Sequence, residues 1–194
     1  MSEGHRDEGF ALMEVMVAIA ILGVVLALVF STLNGGVKQA ADAQSRAQVE
    51  ADVRLTADAF VRDLRQAYTG DPSLSRIDTM TATQITFYSP DRSTPFRLRK
   101  ISYRLNGTDL ERSVTTSADS NGFPWEFGTV AAFATQLQNV RNTNLFTYRD
   151  GDGNATAVPA AVSAVDLRLT VDENTTSGPA AYSSTFTVQI RGIT

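Results

Sequence analysis

Residues 9–30, GFALMEVMVAIAILGVVLALVF, decide where the rest of this chain must sit. Residues 10–30 form a nearly unbroken apolar run, which as an α-helix would be about 30 Å long at ~1.5 Å per residue. That length matches the hydrocarbon thickness of a bilayer, so the run predicts a membrane-spanning helix. Small residues along it would let a neighbouring helix approach closely. They are Ala11, Ala18, Ala20, Gly23 and Ala27.

Glu14 is the charged residue inside this apolar run. A carboxylate within a membrane span costs roughly 2.5–3.5 kcal/mol on insertion scales, so it indicates a partner or a function. The alternative is that Glu14 reaches the membrane interface with its own side chain, because it lies near the start of the run.

The leader and the start of the run together resemble the type IV prepilin signal. A short polar leader ends in Gly9, Phe10 follows at once, and Glu14 is the fifth residue when Phe10 is counted as the first. The resemblance implies that prepilin peptidase cuts between Gly9 and Phe10 on the cytoplasmic side and methylates Phe10. It also implies a leader peptide at residues 1–9 and a transmembrane, filament-core helix at residues 10–36.

The leader differs from the family pattern in its charge. It carries three acids and one arginine, whereas family leaders tend to be basic, and this weakens a positive-inside argument for orientation. The charged residues are Glu3, Arg6, Asp7 and Glu8. An ordinary secretory signal is the competing interpretation, but it requires a basic n-region and an A-x-A-like site after the apolar run. Residues 31–36 (STLNGG) offer small residues without that site.

The prepilin interpretation gives the Glu14 carboxylate a partner. After cleavage Phe10 would carry a free amine, whose positive charge could neutralise Glu14 of an adjacent subunit among packed apolar helices. A misaligned subunit would leave two unpaired charges in an apolar core, so we predict that the pair sets the docking register. Pairing of Phe10 and Glu14 within one chain is the alternative, and the sequence does not separate the two.

Composition excludes several kinds of function. The chain has 194 residues, a net charge of -4, no cysteine and one histidine, His5, which lies in the predicted leader. A mature chain without His or Cys excludes Ser/His/Asp and Cys/His catalysis, imidazole or thiolate zinc sites, and haem ligation through these residues. The mildly acidic charge also argues against binding nucleic acid through bulk electrostatics.

The residues after the anchor predict an amphipathic helix. An apolar stripe recurs every three to four residues, and the opposite face is charged. The stripe is Val53, Ala57, Phe60, Leu64 and Ala67, and the charged face is Arg54, Asp58, Arg62 and Arg65. We therefore predict one long helix from Phe10 to Tyr68, ended by Gly70-Asp71-Pro72. Asn34, Gly35 and Gly36 favour a kink or local melting in its middle, with a plain helix as the alternative.

Beyond residue 72 the periodicity changes to two, which predicts about six strands. The predicted strands are residues 84–89, 97–105, 109–114, 144–149, 162–171 and 184–193. The first three should form an antiparallel meander, because Asn106-Gly107 is a two-residue hairpin signal. Residues 132–138 are predicted as a short helix or a loop, and residues 172–181 as a polar loop. The Trp125 region, residues 115–128, is predicted as a polar loop packed on a sheet edge.

Asp150, Asp152 and Asn154 are a weak calcium candidate. Their alternating oxygen side chains resemble the start of a calcium loop, but the twelfth loop position is Ala161 instead of a bidentate Glu. A glycine-rich turn is the favoured interpretation, and we expect no cofactor. The carboxylate pairs Asp109 with Glu111 and Asp172 with Glu173 are interpreted as solvated surface charges, so no enzyme is predicted.

Short motifs in the second half resemble minor pilins and pseudopilins more than major pilins. They are residues 85–87 (ITF), 101–105 (ISYRL), 110–112 (LER) and 146–150 (FTYRD), with Arg191 near the end of the last predicted strand. The likeness is to the J-type minor pseudopilin of type II secretion or the W-type minor pilin of type IV pili. Nothing in these motifs names a partner.

The predicted fold is α+β, a long N-terminal helix packed on one antiparallel sheet or two small sheets. Residues 37–194 would form an exported pilin-like domain. The predicted function is a minor pilin or pseudopilin that helps to initiate or cap a filament. Its implied partners are prepilin peptidase, other pilins or pseudopilins, and an assembly platform in the inner or cytoplasmic membrane. The alternatives are a membrane-anchored extracytoplasmic binding domain and an anchored hydrolase that uses carboxylates alone.

Overall fold

The structure is a computed structural model that describes residues 12–71, 74–92, 94–118, 122, 124–173 and 180–190. Within these residues one helix precedes eight strands, and a 3-10 turn, Pro159–Ala161, lies before the seventh strand. The elements are α1 (Leu12–Arg65), β1 (Ile77–Met80), β2 (Gln84–Asp91), β3 (Arg97–Asn106), β4 (Asp109–Thr116), β5 (Ala134–Leu137), β6 (Phe146–Arg149), β7 (Ala164–Glu173) and β8 (Ala180–Gln189).

Helix α1 is continuous across Gly35 and Gly36, so the predicted local melting at these glycines is wrong. Helix formation is cooperative, and an interior residue adds to an existing helix without a new nucleus. The glycine cost of about 1 kcal/mol each is therefore not enough to interrupt it.

The C-terminal end of α1 lies three residues before the predicted end at Tyr68. The helix stops at Arg65, and two tighter turn bonds follow, Gln66 N to Asp63 O (3.2 Å) and Ala67 N to Leu64 O (3.0 Å). Gly70 then adopts a left-handed φ of +66°, as expected of a glycine after a helix. The predicted stop signal also included Pro72, which lies outside the described residues.

The predicted apolar stripe is confirmed, because four of its residues are buried in α1 and the fifth, Ala67, is buried just after the helix ends. Phe60 lies at its centre and contacts rings from both sheets. The ring centroids are 5.2 Å from Tyr103, 5.7 Å from Phe146 and 6.5 Å from Phe87. The predicted polar face is exposed at Arg54, Asp58, Arg62 and Arg65. One core therefore joins the helix to β2, β3 and β6.

Two antiparallel sheets pack against α1, which confirms the α+β prediction. The first has the order β1-β2-β3-β4-β5 and the second the order β6-β7-β8. The predicted meander of β2, β3 and β4 is confirmed, and Asn106 pairs with Asp109 across its second hairpin. Gly107 is thus the first central turn residue, with φ +62°, where a type II′ turn needs glycine.

Three features of the remaining chain differ from the sequence predictions. Residues 134–137 form strand β5, where a helix or loop was predicted, because they pair with β4 and because Thr56 of α1 donates a hydrogen bond to the Gln136 carbonyl (3.2 Å). Strand β1 was not predicted. Strands β7 and β8 extend into the predicted polar loop, since Asp172 pairs with Ala181 and Glu173 with Ala180.

The loop that contains Trp125 packs on the first sheet, as predicted. The Trp125 ring lies 5.7 Å from Phe96, and the Phe127 ring lies 5.7 Å from Tyr88. Thr115 and the residue after it belong to β4 instead of the loop. The neighbouring Phe123 lies outside the described residues.

A polar cluster of Asp63, Tyr103 and Arg112, hereafter the Asp63 cluster, ties α1 to the first sheet. Asp63 Oδ2 accepts hydrogen bonds from Tyr103 Oη (2.8 Å) and Arg112 Nε (2.9 Å). Burial, and then the nearby Asp63 carboxylate, raises the pKa of Tyr103 above its ordinary value. The carboxylate thus satisfies a phenol and a guanidinium from two adjacent strands.

Replacing Asp63 should destabilise the domain. Asp63→Asn removes the charge that Tyr103 and Arg112 share, and we expect the free energy of unfolding to fall by about 1–3 kcal/mol. Asp58→Asn is the matched control, because Asp58 is exposed on the same helix, and its effect should stay within about 0.5 kcal/mol. Urea unfolding of the full chain in detergent micelles measures both. Equal effects of the two variants would contradict the role of the cluster.

Candidate functional site: the projecting segment of helix α1

The N-terminal part of α1 extends beyond the domain. Residues 12–41, hereafter the projecting segment, are all exposed, and Asp42 is the first buried residue of the helix. At ~1.5 Å per residue this segment is about 45 Å long. It includes an 18-residue window with a mean hydropathy of 2.8, none of which is buried. By length and composition α1 is therefore able to cross a bilayer.

The surface of the projecting segment is almost entirely apolar. Sixteen large apolar side chains between Leu12 and Val37 are 46–82 % exposed. Thr32 interrupts this surface, but its hydroxyl donates to the Leu28 carbonyl (2.8 Å), so the helix satisfies it internally. An exposed apolar surface of this extent indicates a membrane or protein interface.

Glu14 lies near the outer end of the projecting segment and is exposed. No lysine or arginine occurs between Leu12 and Val37, so this part of α1 offers its carboxylate no basic side chain. Gly9 and Phe10, the predicted cleavage and methylation residues, lie outside the described residues. The structure therefore places Glu14 on the apolar helix and leaves its pairing with the Phe10 amine a prediction.

Helical periodicity puts Glu14 and most of the small residues on different faces. Ala20, Gly23 and Ala27 lie together on one face, which is roughly 150° around the helix from Glu14 at 100° per residue. Ala18, one turn after Glu14, lies on the same side as the carboxylate. The projecting segment thus presents two surfaces that a neighbouring helix could approach, and one of them carries the charge.

One ion pair connects α1, just after the projecting segment, to the second sheet. Arg46 Nε lies 3.0 Å from Glu173 Oε2 at the end of β7, where the Glu173 side chain is only 10 % exposed. Asp172 pairs with Arg141 (2.5 Å) beside it. These two carboxylates, predicted as solvated charges, therefore bind arginines.

The weak calcium candidate folds as a turn that Asp150 organises. Asp150 Oδ1 accepts hydrogen bonds from the backbone N–H groups of Asp152 (3.0 Å) and Asn154 (2.9 Å), and Gly153 has a φ of +85°. The Ser163 hydroxyl donates to the Asp150 carbonyl. This geometry favours the glycine-rich turn interpretation. Among the described residues no group of three or more His, Cys, Asp or Glu side chains could hold a metal ion.

Glu111, the other acid considered for acid–base chemistry with Asp109, also has a structural partner. Its carboxylate accepts hydrogen bonds from Asn106 (3.0 Å) and Arg104 Nε (2.8 Å), and these contacts lower the pKa of Glu111. A carboxylate bound in this way stays ionised and is a poor proton donor.

A comparison with protein families identifies the N-terminal sequence that continues into the projecting segment. Residues 4–30 match the prokaryotic N-terminal methylation motif. This chain carries that motif. The match includes Gly9, Phe10 and Glu14, and the methylation motif supports a structural subunit of the pilin and pseudopilin class that prepilin peptidase processes. A comparison with curated proteins finds no match. Helix α1 is consistent with single-pass anchoring of such a subunit.

Substitutions in the turn at Asp150 test the calcium candidate. Asp150→Ala should lower the free energy of unfolding by about 1 kcal/mol, because two backbone N–H groups lose their acceptor. Asp152→Ala, which removes an exposed carboxylate of the same loop, should change it by less than about 0.5 kcal/mol. Added calcium should leave the unfolding temperature unchanged. A calcium-dependent rise that Asp152→Ala abolishes would instead support a metal site.

Proposed function

We propose that this protein is a minor pilin or pseudopilin that is cut between Gly9 and Phe10, methylated at Phe10, and assembled into a type IV pilus or a type II secretion pseudopilus. The observation that carries the proposal is the methylation motif at residues 4–30, which leads into a helix whose apolar half is not covered by its own domain. Prepilin peptidase, other pilins and a membrane assembly platform are the proposed partners.

The apolar surface of the projecting segment needs cover both before and after assembly. Full burial of a large apolar side chain is worth about 1.5–3 kcal/mol, so covering the sixteen exposed ones is worth on the order of tens of kcal/mol. A bilayer provides this cover before assembly, and the helices of neighbouring subunits provide it afterwards. The helix can leave the membrane only when other apolar helices replace the lipid, which couples extraction to filament growth.

Glu14 fixes the alignment between neighbouring helices, which apolar contacts alone do not determine. Leu and Val side chains pack in many alignments at similar energy, whereas an unpaired carboxylate among them is costly. The proposed partner is the Phe10 amine of an adjacent subunit, and Ala18 on the same face leaves room for that chain end. The small-residue face at Ala20, Gly23 and Ala27 would receive a different neighbour.

The minor role is proposed from the sequence motifs of the exported domain. Those motifs fall in β2, β3, β4 and β6 and in the turn after β6, while Arg191 lies outside the described residues. We propose that this β-rich domain faces the extracytoplasmic side of the inner or cytoplasmic membrane and that the subunit initiates or caps the filament.

Replacing Glu14 separates this proposal from a simple membrane anchor. Glu14→Leu should insert and be processed, because insertion becomes easier, but its recovery in the filament fraction should fall at least about tenfold through loss of the charge pair. Met13→Leu is the control, since it changes a neighbouring exposed side chain of the same helix without touching a charge. Incorporation of Glu14→Leu at the wild-type level would contradict the docking role. A permanently anchored binding domain predicts that outcome.

A further inference from the structure

Strand β8 forms a long outer edge of the second sheet. The sheet order is β6-β7-β8, and all ten residues of β8 pair with β7. The other side of β7 is occupied along most of its length, by β6 and by residues 139–141, which bond to Thr170 and Asp172. Strand β8 is thus the open side of this sheet within the described residues.

The hydrogen-bond alternation shows which backbone groups of β8 point outward. Even-numbered residues of β7 bond away from β8, as in Arg168 N to Leu145 O (2.8 Å) and Asp172 N to Asn139 O (3.0 Å). In an antiparallel ladder the odd-numbered residues of β7 then bond to their β8 partners, which are even-numbered. The outward backbone groups belong to Ala181, Ser183, Thr185, Thr187 and Gln189, all of which are exposed.

Strand β8 lacks three of the features that usually prevent an edge from pairing with another chain, namely short length, charge and proline. Sheet edges are commonly protected by short length, charges, proline, bulges or a covering element. The first sheet follows this rule: β1 has four residues and a register irregularity, and β5 has four residues and contacts Thr56 of α1. Strand β8 has ten residues, AAYSSTFTVQ, without a charge or a proline.

A positively charged groove runs beside the C-terminal half of β8. It has a volume of about 580 Å³ and is lined by Arg65 and Gln66 at the end of α1, Arg92 after β2, and Thr187 and Gln189 of β8. Both arginines are exposed, and neither is among the ion pairs formed by the described residues. Two exposed guanidinium groups next to outward N–H and C=O groups favour an extended chain that carries carboxylates.

We propose that β8 binds an extended acidic segment of a partner protein by β-strand addition, with a carboxylate of that segment bound by Arg65 and Arg92. The outward backbone groups of β8 supply the affinity, and the two arginines select the acidic sequence. A second copy of β8 is a poorer occupant, because that strand has no acid and would leave both arginines unpaired. The interaction does not depend on cleavage after Gly9, so it stands apart from the proposed filament function.

The test uses the full, unprocessed chain in detergent micelles and a fluorescent peptide of about ten residues that alternates Thr or Val with Glu. Fluorescence anisotropy should show saturable binding. Thr185→Pro should lower the affinity at least about tenfold, because it removes an outward N–H that the ladder with β7 does not use. Thr185→Ala keeps that N–H and should bind as the wild type does.

A second arm tests the arginines. Arg65→Gln combined with Arg92→Gln should weaken binding about tenfold and remove its salt dependence, and a peptide with Lys in place of Glu should bind the wild type at least about tenfold more weakly. Circular dichroism and the unfolding temperature confirm that each variant is folded. Four results would overturn the proposal: no saturable binding, equal binding of the Lys peptide, full binding by folded Thr185→Pro, or self-association that Thr185→Pro abolishes while peptide binding persists.

Discussion

The structure depends on a helix that its own domain covers along only half of its length. From Val53 onward one face of α1 is buried against two sheets, whereas residues 12–41 are all exposed and most of them are apolar. A soluble protein would not keep such a segment in water, because its burial is worth on the order of tens of kcal/mol. A bilayer or another protein must cover it, and in the proposed function anchoring and assembly are two states of this one surface.

The covered half of α1 connects the helix to both sheets of the domain through packed contacts. Phe60 packs against rings from both sheets, and Asp63 binds Tyr103 and Arg112 through a single carboxylate oxygen. Because helix and sheets share one core, a force on the projecting segment reaches the domain through packed contacts instead of a flexible joint. The continuous helix through Gly35 and Gly36 extends this connection into the apolar half.

Local sequence patterns predicted much of this fold, and non-local pairing explains the rest. The stripe at Phe60 and the turn at Gly107 follow from periodicity and turn chemistry within a few residues. Strand β5 has no apolar alternation and exists because β4 and Thr56 pair with it. In the sequence alone Asp63 looks like a surface charge, because its partners Tyr103 and Arg112 are 40 and 49 residues away. Glu14 was found through a short motif, whereas the open edge of β8 depends on the sheet order.

The central claim is tested most directly by the N-terminal residue and the mass of the protein recovered from membranes, with and without a co-expressed prepilin peptidase. The account predicts that the peptidase yields a chain that starts at Phe10 and carries the mass of one additional methyl group. A chain that still begins at Met1 or Ser2 in the presence of an active peptidase would contradict it, and would favour a permanently anchored extracytoplasmic binding domain.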